Sequence, residues 1–221
     1  MVVTTPDGVL ELDETWRYAC AGYTGRDRAL VLEHIAELER IGVAPPPSVP
    51  TFYPIPPYLV TTGDRVWAPH ETTSGEIEPV FLILSPRQIY VTVGSDHTDR
   101  RLEAHDVDAS KWVGQKVLAP RAWPWPAVAP EWAETALRAW VEPVGADAPV
   151  LYQEGRAGDL LDPAYWVDTL QRRYGSAERW VLFGGTIPHA QVAGPFKAFA
   201  GELVRPSGER LGLRYTVRVL D

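Results

Sequence analysis

Gly75-Glu76-Ile77-Glu78-Pro79-Val80-Phe81-Leu82-Ile83-Leu84 is the stretch on which the fold turns. Within it, Glu78 to Leu84 holds a short apolar run that reads as a buried strand. A second strand candidate, Ile89 to Val93, follows with weak alternation. Glu76 and Glu78 stand at i and i+2, so on a strand their carboxylates share a face. Side by side they repel, and ionising both needs a compensating cation. Asp96 comes just after the second strand, in Gly94-Ser95-Asp96-His97-Thr98-Asp99-Arg100. Three carboxylates without a thiolate suit a hard ion such as Mg²⁺ or Mn²⁺. A solvated acidic strand edge would read the same way.

Outward from this stretch the elements alternate irregularly. Residues 27–41 read as a helix through Leu30, His34, Leu38 and Ile41, with Gly42 as its C-cap. Ala44 to Pro57 holds seven prolines and reads as an extended connection pinned by Phe52, Tyr53, Ile55 and Tyr58. Lys111 to Pro126 is expected to be irregular. Residues 131–141 are expected to form a short amphipathic helix, with Trp132, Ala136, Leu137 and Trp140 on one side and a Glu134–Arg138 pair. Asp162-Pro163 opens a helix that runs to about Tyr174, where Gly175 ends it. Trp180 to Phe183 reads as a buried strand entering Gly184-Gly185. Leu211, Leu213, Tyr215, Val217 and Val219 alternate with polar residues or glycine, a half-buried strand after the turn Pro206-Ser207-Gly208. There is no βαβ rhythm, so the expected class is α+β and β-rich, in one domain over residues 1–221.

Composition narrows the function. In 221 residues there are 21 Lys plus Arg and 29 Asp plus Glu, a formal net charge of −8. That balance argues against binding nucleic acid or anionic lipid. The single cysteine, Cys20, excludes an internal disulfide and multi-thiolate zinc sites. With 21 prolines, long helices are disfavoured, and the 9 tryptophans read first as core. There is no G-x-S-x-G, P-loop, G-x-G-x-x-G or H-E-x-x-H. The N-terminal stretch carries neither the basic start nor the apolar run of a signal peptide, and no stretch could span a bilayer. The expectation is a soluble cytoplasmic protein with no membrane or nucleic-acid partner.

His34 and Glu37 lie three apart on the expected helix and share a face. A glutamate beside a histidine can set its tautomer and basicity. Taken alone, a half-buried histidine beside a surface glutamate fits as well. His97, next to Asp96, should point to the opposite face, and His189 could line a pocket. His70 and His105 suggest no role, and Asp99, Asp106 and Asp108 read as a solvated loop.

Taken in order, these pieces resemble the fumarylacetoacetate hydrolase superfamily. The matching pieces are Gly22-Tyr23-Thr24-Gly25-Arg26-Asp27, His34-Ile35-Ala36-Glu37, the proline-rich stretch to Phe52-Tyr53, Glu76-Ile77-Glu78, and Val93 to Arg100. Lys116 in Gly114-Gln115-Lys116, Phe183-Gly184-Gly185-Thr186-Ile187-Pro188 and the final hairpin strand complete them. The resemblance implies a mixed β-sandwich roll, usually a homodimer, with a lid-like helix segment at about 20–45. It implies one Mg²⁺ or Mn²⁺ on Glu76, Glu78 and Asp96. His34, oriented by Glu37, would activate water. Lys116 would add positive charge where an oxyanion develops. Gly185 and Thr186 would hold substrate oxygens, and Arg100 would bind a carboxylate or brace a metal ligand.

The implied activity is hydrolysis of a C–C bond in a small 2-oxo or β-diketo acid, acylpyruvate-like, through a metal-stabilised enolate. A lyase on a 2-oxo acid, decarboxylase or hydratase, and a non-catalytic ligand-binding relative stay open. Four departures stand out. The stretch from Glu78 to Asp96 is short, Ile187 interrupts Gly-Thr-Pro, Glu103 stands where the family often has glutamine, and His189-Ala190-Gln191 replaces a glycine-rich tail after the threonine turn.

Overall fold

The computed structural model describes residues 1–40, 42–175, 178–192 and 194–220, and two mixed β-sheets carry its core. The larger runs Thr51–Pro54, Arg17–Gly22, Trp180–Phe183, Ile77–Ser85, Gln88–Asp96, Lys116–Leu118, Val60–Thr61, and Trp123–Pro124 pairs beside this path. The smaller runs Val150–Arg156, Ala136–Pro143, Phe196–Val204, Arg210–Val219, Arg65–Ala68. Trp180–Phe183 pairs parallel to Arg17–Gly22, and Arg210–Val219 pairs parallel to Arg65–Ala68. Most other pairings are antiparallel.

Ile77–Ser85 is central in the larger sheet, which explains its unbroken apolar run. Ile77, Phe81 and Ile83 pack with Leu137, Phe199, Leu203 and Tyr215 of the smaller sheet. Val80 and Leu82 point the other way, onto Tyr18, Cys20, Val181 and Phe183, with Val3 and Leu12 also in that cluster. Each such side chain removed from water contributes about 1.5–3 kcal/mol. The C-terminal strand has its expected alternation, with Leu211, Leu213 and Tyr215 buried and Arg210, Gly212 and Arg214 exposed. It pairs antiparallel with Phe196–Val204 to close the fold.

Residues 131–141 are not a helix. A 3-10 turn, Ala129–Glu134, ends at Thr135, and Ala136–Pro143 is a strand between two partners. Leu137, Ala139 and Val141 all reach the core, the two-residue period that the helical reading overlooked. Arg138 pairs with Glu154 across the ladder, and Glu134 pairs with Arg156. Tertiary packing overrode a helical pattern that spanned two elements. The tract from Lys111 is also more regular than expected, holding the end of the helix Val107–Val113 and the strand Lys116–Leu118.

The first helix is Arg28–Arg40, and the expected final residue Ile41 lies outside the described residues. Asp27 Oδ1 accepts from the backbone of Ala29 and Leu30, and Gly42 donates to Glu39 O at 3.0 Å. The expected apolar stripe is misplaced. Ile35 is its buried residue, while Leu30 is 62% exposed. Asp162 caps the helix Pro163–Tyr174 as expected. In the proline-rich connection, Tyr53 and Ile55 are buried and Tyr58 is exposed. Of the tryptophans, Trp16, Trp132, Trp166 and Trp180 are core, whereas Trp112 is exposed. No helix among the described residues is long and apolar enough to cross a membrane.

Candidate metal centre

Strand register assembles the centre. The backbone N–H of Glu76 donates to Asp96 O, and that of Asp96 to Glu76 O, each at 3.0 Å. The next ladder sets Lys116 opposite Asp96. Directly opposed residues present side chains to the same face, so Glu76, Asp96 and Lys116 stand in a row. Glu78, two residues along, joins them. The ladder sets Gly94 opposite Glu78. One oxygen from each of Glu76, Glu78 and Asp96 lies within 4.8 Å of the others, and all three residues are buried.

Cations crowd the trio. Lys116 Nζ lies 2.7 Å from Asp96 Oδ1 and is fully buried. It also donates to Gly114 O at 2.8 Å and His97 O at 3.2 Å, so its three protons are engaged. Lys111 Nζ lies 2.7 Å from Asp96 Oδ2 and 3.5 Å from Glu76 Oε2. Arg100 Nη1 bridges Glu76 Oε1 at 2.9 Å and Glu103 Oε2 at 2.6 Å, and its Nε donates to Ser74 Oγ at 2.7 Å.

The carboxylates divide in their proton affinity. Burial alone would raise all three. At Glu76 the charges of Arg100 and Lys111 overcome burial and lower its pKa. At Asp96 the two lysines do the same more strongly. Glu78 goes the other way, because burial and the neighbouring Asp96 charge raise it well above the usual range. Its Oε2 accepts the Gly185 backbone N–H at 2.9 Å.

The donor set fits a hard divalent ion. It offers three converging carboxylates and no thiolate. Asp96 Oδ2 is buried and has no aligned hydrogen bond, despite the nearby ammonium. Glu78 lacks the close cation its neighbours have. A divalent ion among the three would add a ligand contact at Asp96 Oδ2 and the close positive charge that Glu78 lacks.

The expected wall residues sit nearby. Gly185 has φ +87°, and a Cβ there would fall 2.0 Å from Thr24 Oγ1, so only glycine can offer its N–H to Glu78 in this way. Thr186 Oγ1 donates to Ile77 O at 2.7 Å and accepts from Gln153 Nε2 at 2.8 Å. Arg100 braces Glu76 and Glu103, and its buried Nη2 has no partner. His34 and Glu37 lie apart from this buried polar web. Their side chains are 62% and 58% exposed, with Nδ1 to Oε2 at 3.7 Å.

His97 points away from the trio, as expected. Its ring bonds Thr73 Oγ1 at 2.9 Å and Tyr215 OH at 3.1 Å. His189 is exposed and stacks on Tyr152. Of the aspartates read as a solvated loop, Asp106 and Asp108 are exposed and Asp99 is not, and Asp99 and Asp106 both cap helices. Asp99 is buried, caps the turn Arg100–Glu103 and meets His70 Nε2 at 2.9 Å, and Asp106 caps Val107–Val113.

Sequence reasoning gave no site role to four residues around the trio. Lys111 is the most consequential, and the need for a cation beside paired carboxylates was its one signal. Gln153 is buried and holds Ile77 N, Thr186 Oγ1 and Ile187 O with one amide. Glu103, where the family often has glutamine, is a partner of Arg100. Tyr23 has φ 58°, a left-handed conformation unusual for an aromatic residue. Burial and the Glu103 charge raise its pKa.

The sequence model of a family described as "Protein of unknown function (DUF2848)" matches residues 21–215. The chain belongs to the DUF2848 family. No curated protein matches it. Among solved structures, the apo form of 2-keto-3-deoxy-D-arabinonate dehydratase is similar at TM-score 0.64 and 14% identity, over 97% of this chain and 77% of that one. The dehydratase complexed with magnesium and 2,5-dioxopentanoate gives TM-score 0.62 and 15% identity, over 96% and 77%. A yeast fumarylacetoacetate hydrolase family protein gives TM-score 0.57 and 12% identity, over 92% and 93%. This DUF2848 protein therefore has the fumarylacetoacetate hydrolase fold, and the resemblance read from its motifs holds at that level.

Proposed function

We propose that this DUF2848 protein is a divalent-metal-dependent enzyme that hydrolyses a C–C bond in a small 2-oxo or β-diketo acid of the acylpyruvate type. The observation that carries this reading is the inward-facing trio Glu76, Glu78 and Asp96, one oxygen from each within 4.8 Å of the others, in a fold shared with a magnesium-bound 2-oxo acid dehydratase. A hard ion on the trio supplies Lewis-acid polarisation of a chelating 2-oxo group.

The chain's own groups do the rest. Lys116 and Arg100 are positioning residues, fixing Asp96 and Glu76 through short contacts. The Arg100 Nη2 is the donor assigned to the acid's oxygens, and the Thr186 hydroxyl joins it by turning its one proton away from Ile77 O. His34, paired with Glu37, takes a proton from water or passes it to the leaving fragment. Its exposure leaves its final orientation to substrate binding. Assembly as a homodimer belongs to the same proposal, and light scattering in solution tests it.

Titration calorimetry with oxalate, a planar mimic of an enolised 2-oxo acid, tests the site. Heat of binding is expected with Mg²⁺ and not without it. No binding in either condition, with folded protein, overturns the proposal. The dehydratase likeness supports a second reading, a lyase on a 2-oxo acid. Product analysis on acylpyruvates and 2-oxo sugar acids separates the two: hydrolysis gives two organic fragments, whereas a lyase gives CO₂ or loses water.

A further inference from the structure

We infer that Lys111 is a built-in cation that occupies the carboxylate trio in the metal-free protein and must withdraw when a divalent ion binds, so that it sets the metal affinity of the site. This rests on the metal reading above. One ammonium contacts three carboxylates: Asp96 Oδ2 at 2.7 Å, Glu76 Oε2 at 3.5 Å and Glu103 Oε1 at 3.9 Å. Two of them belong to the trio. The side chain is 9% exposed, so the contact is an interior one. A Mg²⁺ ion binds carboxylate oxygens at about 2.0–2.1 Å. An ion at that distance from Asp96 Oδ2 and Glu76 Oε2 would stand against the ammonium, and two cations in contact repel strongly in a buried site.

The neighbourhood offers Lys111 a place to go. Glu103 is outside the trio and Thr98 Oγ1 is 3.4 Å away, so a short swing keeps the ammonium partnered. Lys116 has no such freedom, because its three protons are tied to Asp96 and two backbone carbonyls. The two lysines therefore divide the work. Lys116 holds Asp96 in place in either state, and Lys111 balances the trio only until the ion arrives.

Calorimetric titration of Mn²⁺ into metal-free protein tests the inference, with melting temperature as a second readout. Lys111→Met keeps the stem and removes the charge. It should bind Mn²⁺ at least about tenfold more tightly than wild type. Metal-free, it should melt below wild type, and Mn²⁺ should raise its melting temperature more. Glu103→Gln takes away the landing place and should weaken Mn²⁺ binding. That loss should shrink to within about twofold in the Lys111→Met background, because the two residues act together.

Equal or weaker binding by folded Lys111→Met overturns the inference and leaves the metal reading standing. If that variant does not fold, unchanged or tighter binding by Glu103→Gln overturns it instead. Absence of Mn²⁺ and Mg²⁺ binding in the folded wild type and both variants overturns both.

Discussion

Glu76, Glu78 and Asp96 are held by backbone ladders, whereas His34 and Glu37 are held by one turn of a helix that buries Ile35. In the first region the geometry is fixed before any ligand arrives. Strand register aligns Glu76, Asp96 and Lys116, and each charged group already has partners. In the second, both side chains are more than half exposed and 3.7 Å apart, a contact of the kind that adds little in water. A binding centre must be built in advance, because converging carboxylates repel and have to be forced together. A proton-transfer group need only reach the right atom at the right moment. Ways to break this contrast are to unbalance the rigid centre and to remove the loose pair.

Asp96→Asn should have the largest effect. It removes a trio member and leaves Lys116, fully buried, without its counter-charge. An uncompensated buried charge costs about 3–5 kcal/mol. The variant should lose that much stability in urea denaturation and bind no Mn²⁺ in calorimetry. Wild-type stability with intact Mn²⁺ binding would show that the row of side chains is not what holds the ion.

The contrast also explains what could be read in the sequence. Glu76, Glu78 and Asp96 were legible because strand periodicity and residue chemistry point to the same face. The C-terminal strand was legible for the same reason. Ala136–Pro143 was not, since Trp132, Ala136 and Trp140 mimic helical spacing across a boundary that tertiary pairing sets. Lys111 was out of reach. It lies on the short helix Val107–Val113, brought onto the sheet by the turn at Gly114, where a Cβ would fall 1.7 Å from His97 O. Periodicity does not report that approach. The His34–Glu37 pair was legible as a pair, but the side of the helix facing the core was not, because a single buried residue decides it.

His34→Ala sharpens the other half of the comparison. Removing an exposed side chain should change stability by less than about 0.5 kcal/mol. Mn²⁺ binding should be unchanged. Turnover of a responsive 2-oxo acid should fall by about 10²–10⁴-fold, the usual contribution of a positioned acid or base. A matching loss of metal affinity would mean that the helix belongs to the rigid centre after all. Full turnover would remove His34 from the chemistry.

The smallest effect separates the interior from its titration. His97 lies behind Asp96, with both ring nitrogens bonded, and burial, then the charges of Lys116 and Arg100, push its pKa down to about 3. In the unfolded chain a histidine takes up a proton near pH 6.5. Between these values the unfolded state holds more protons, so the His97 contribution to stability falls as pH falls through that window. The slope is about 1.4 kcal/mol per pH unit. Glu78 works in the opposite sense, since its raised pKa favours the folded state at lower pH and costs stability as pH rises. Wild type alone would therefore show a muted slope. Subtracting a His97→Gln variant cancels Glu78 and isolates the histidine. Urea denaturation at pH 5.0 and 6.5 should show wild type gaining on that variant as pH rises, and equal changes in both would mean that the interior tolerates a protonated His97.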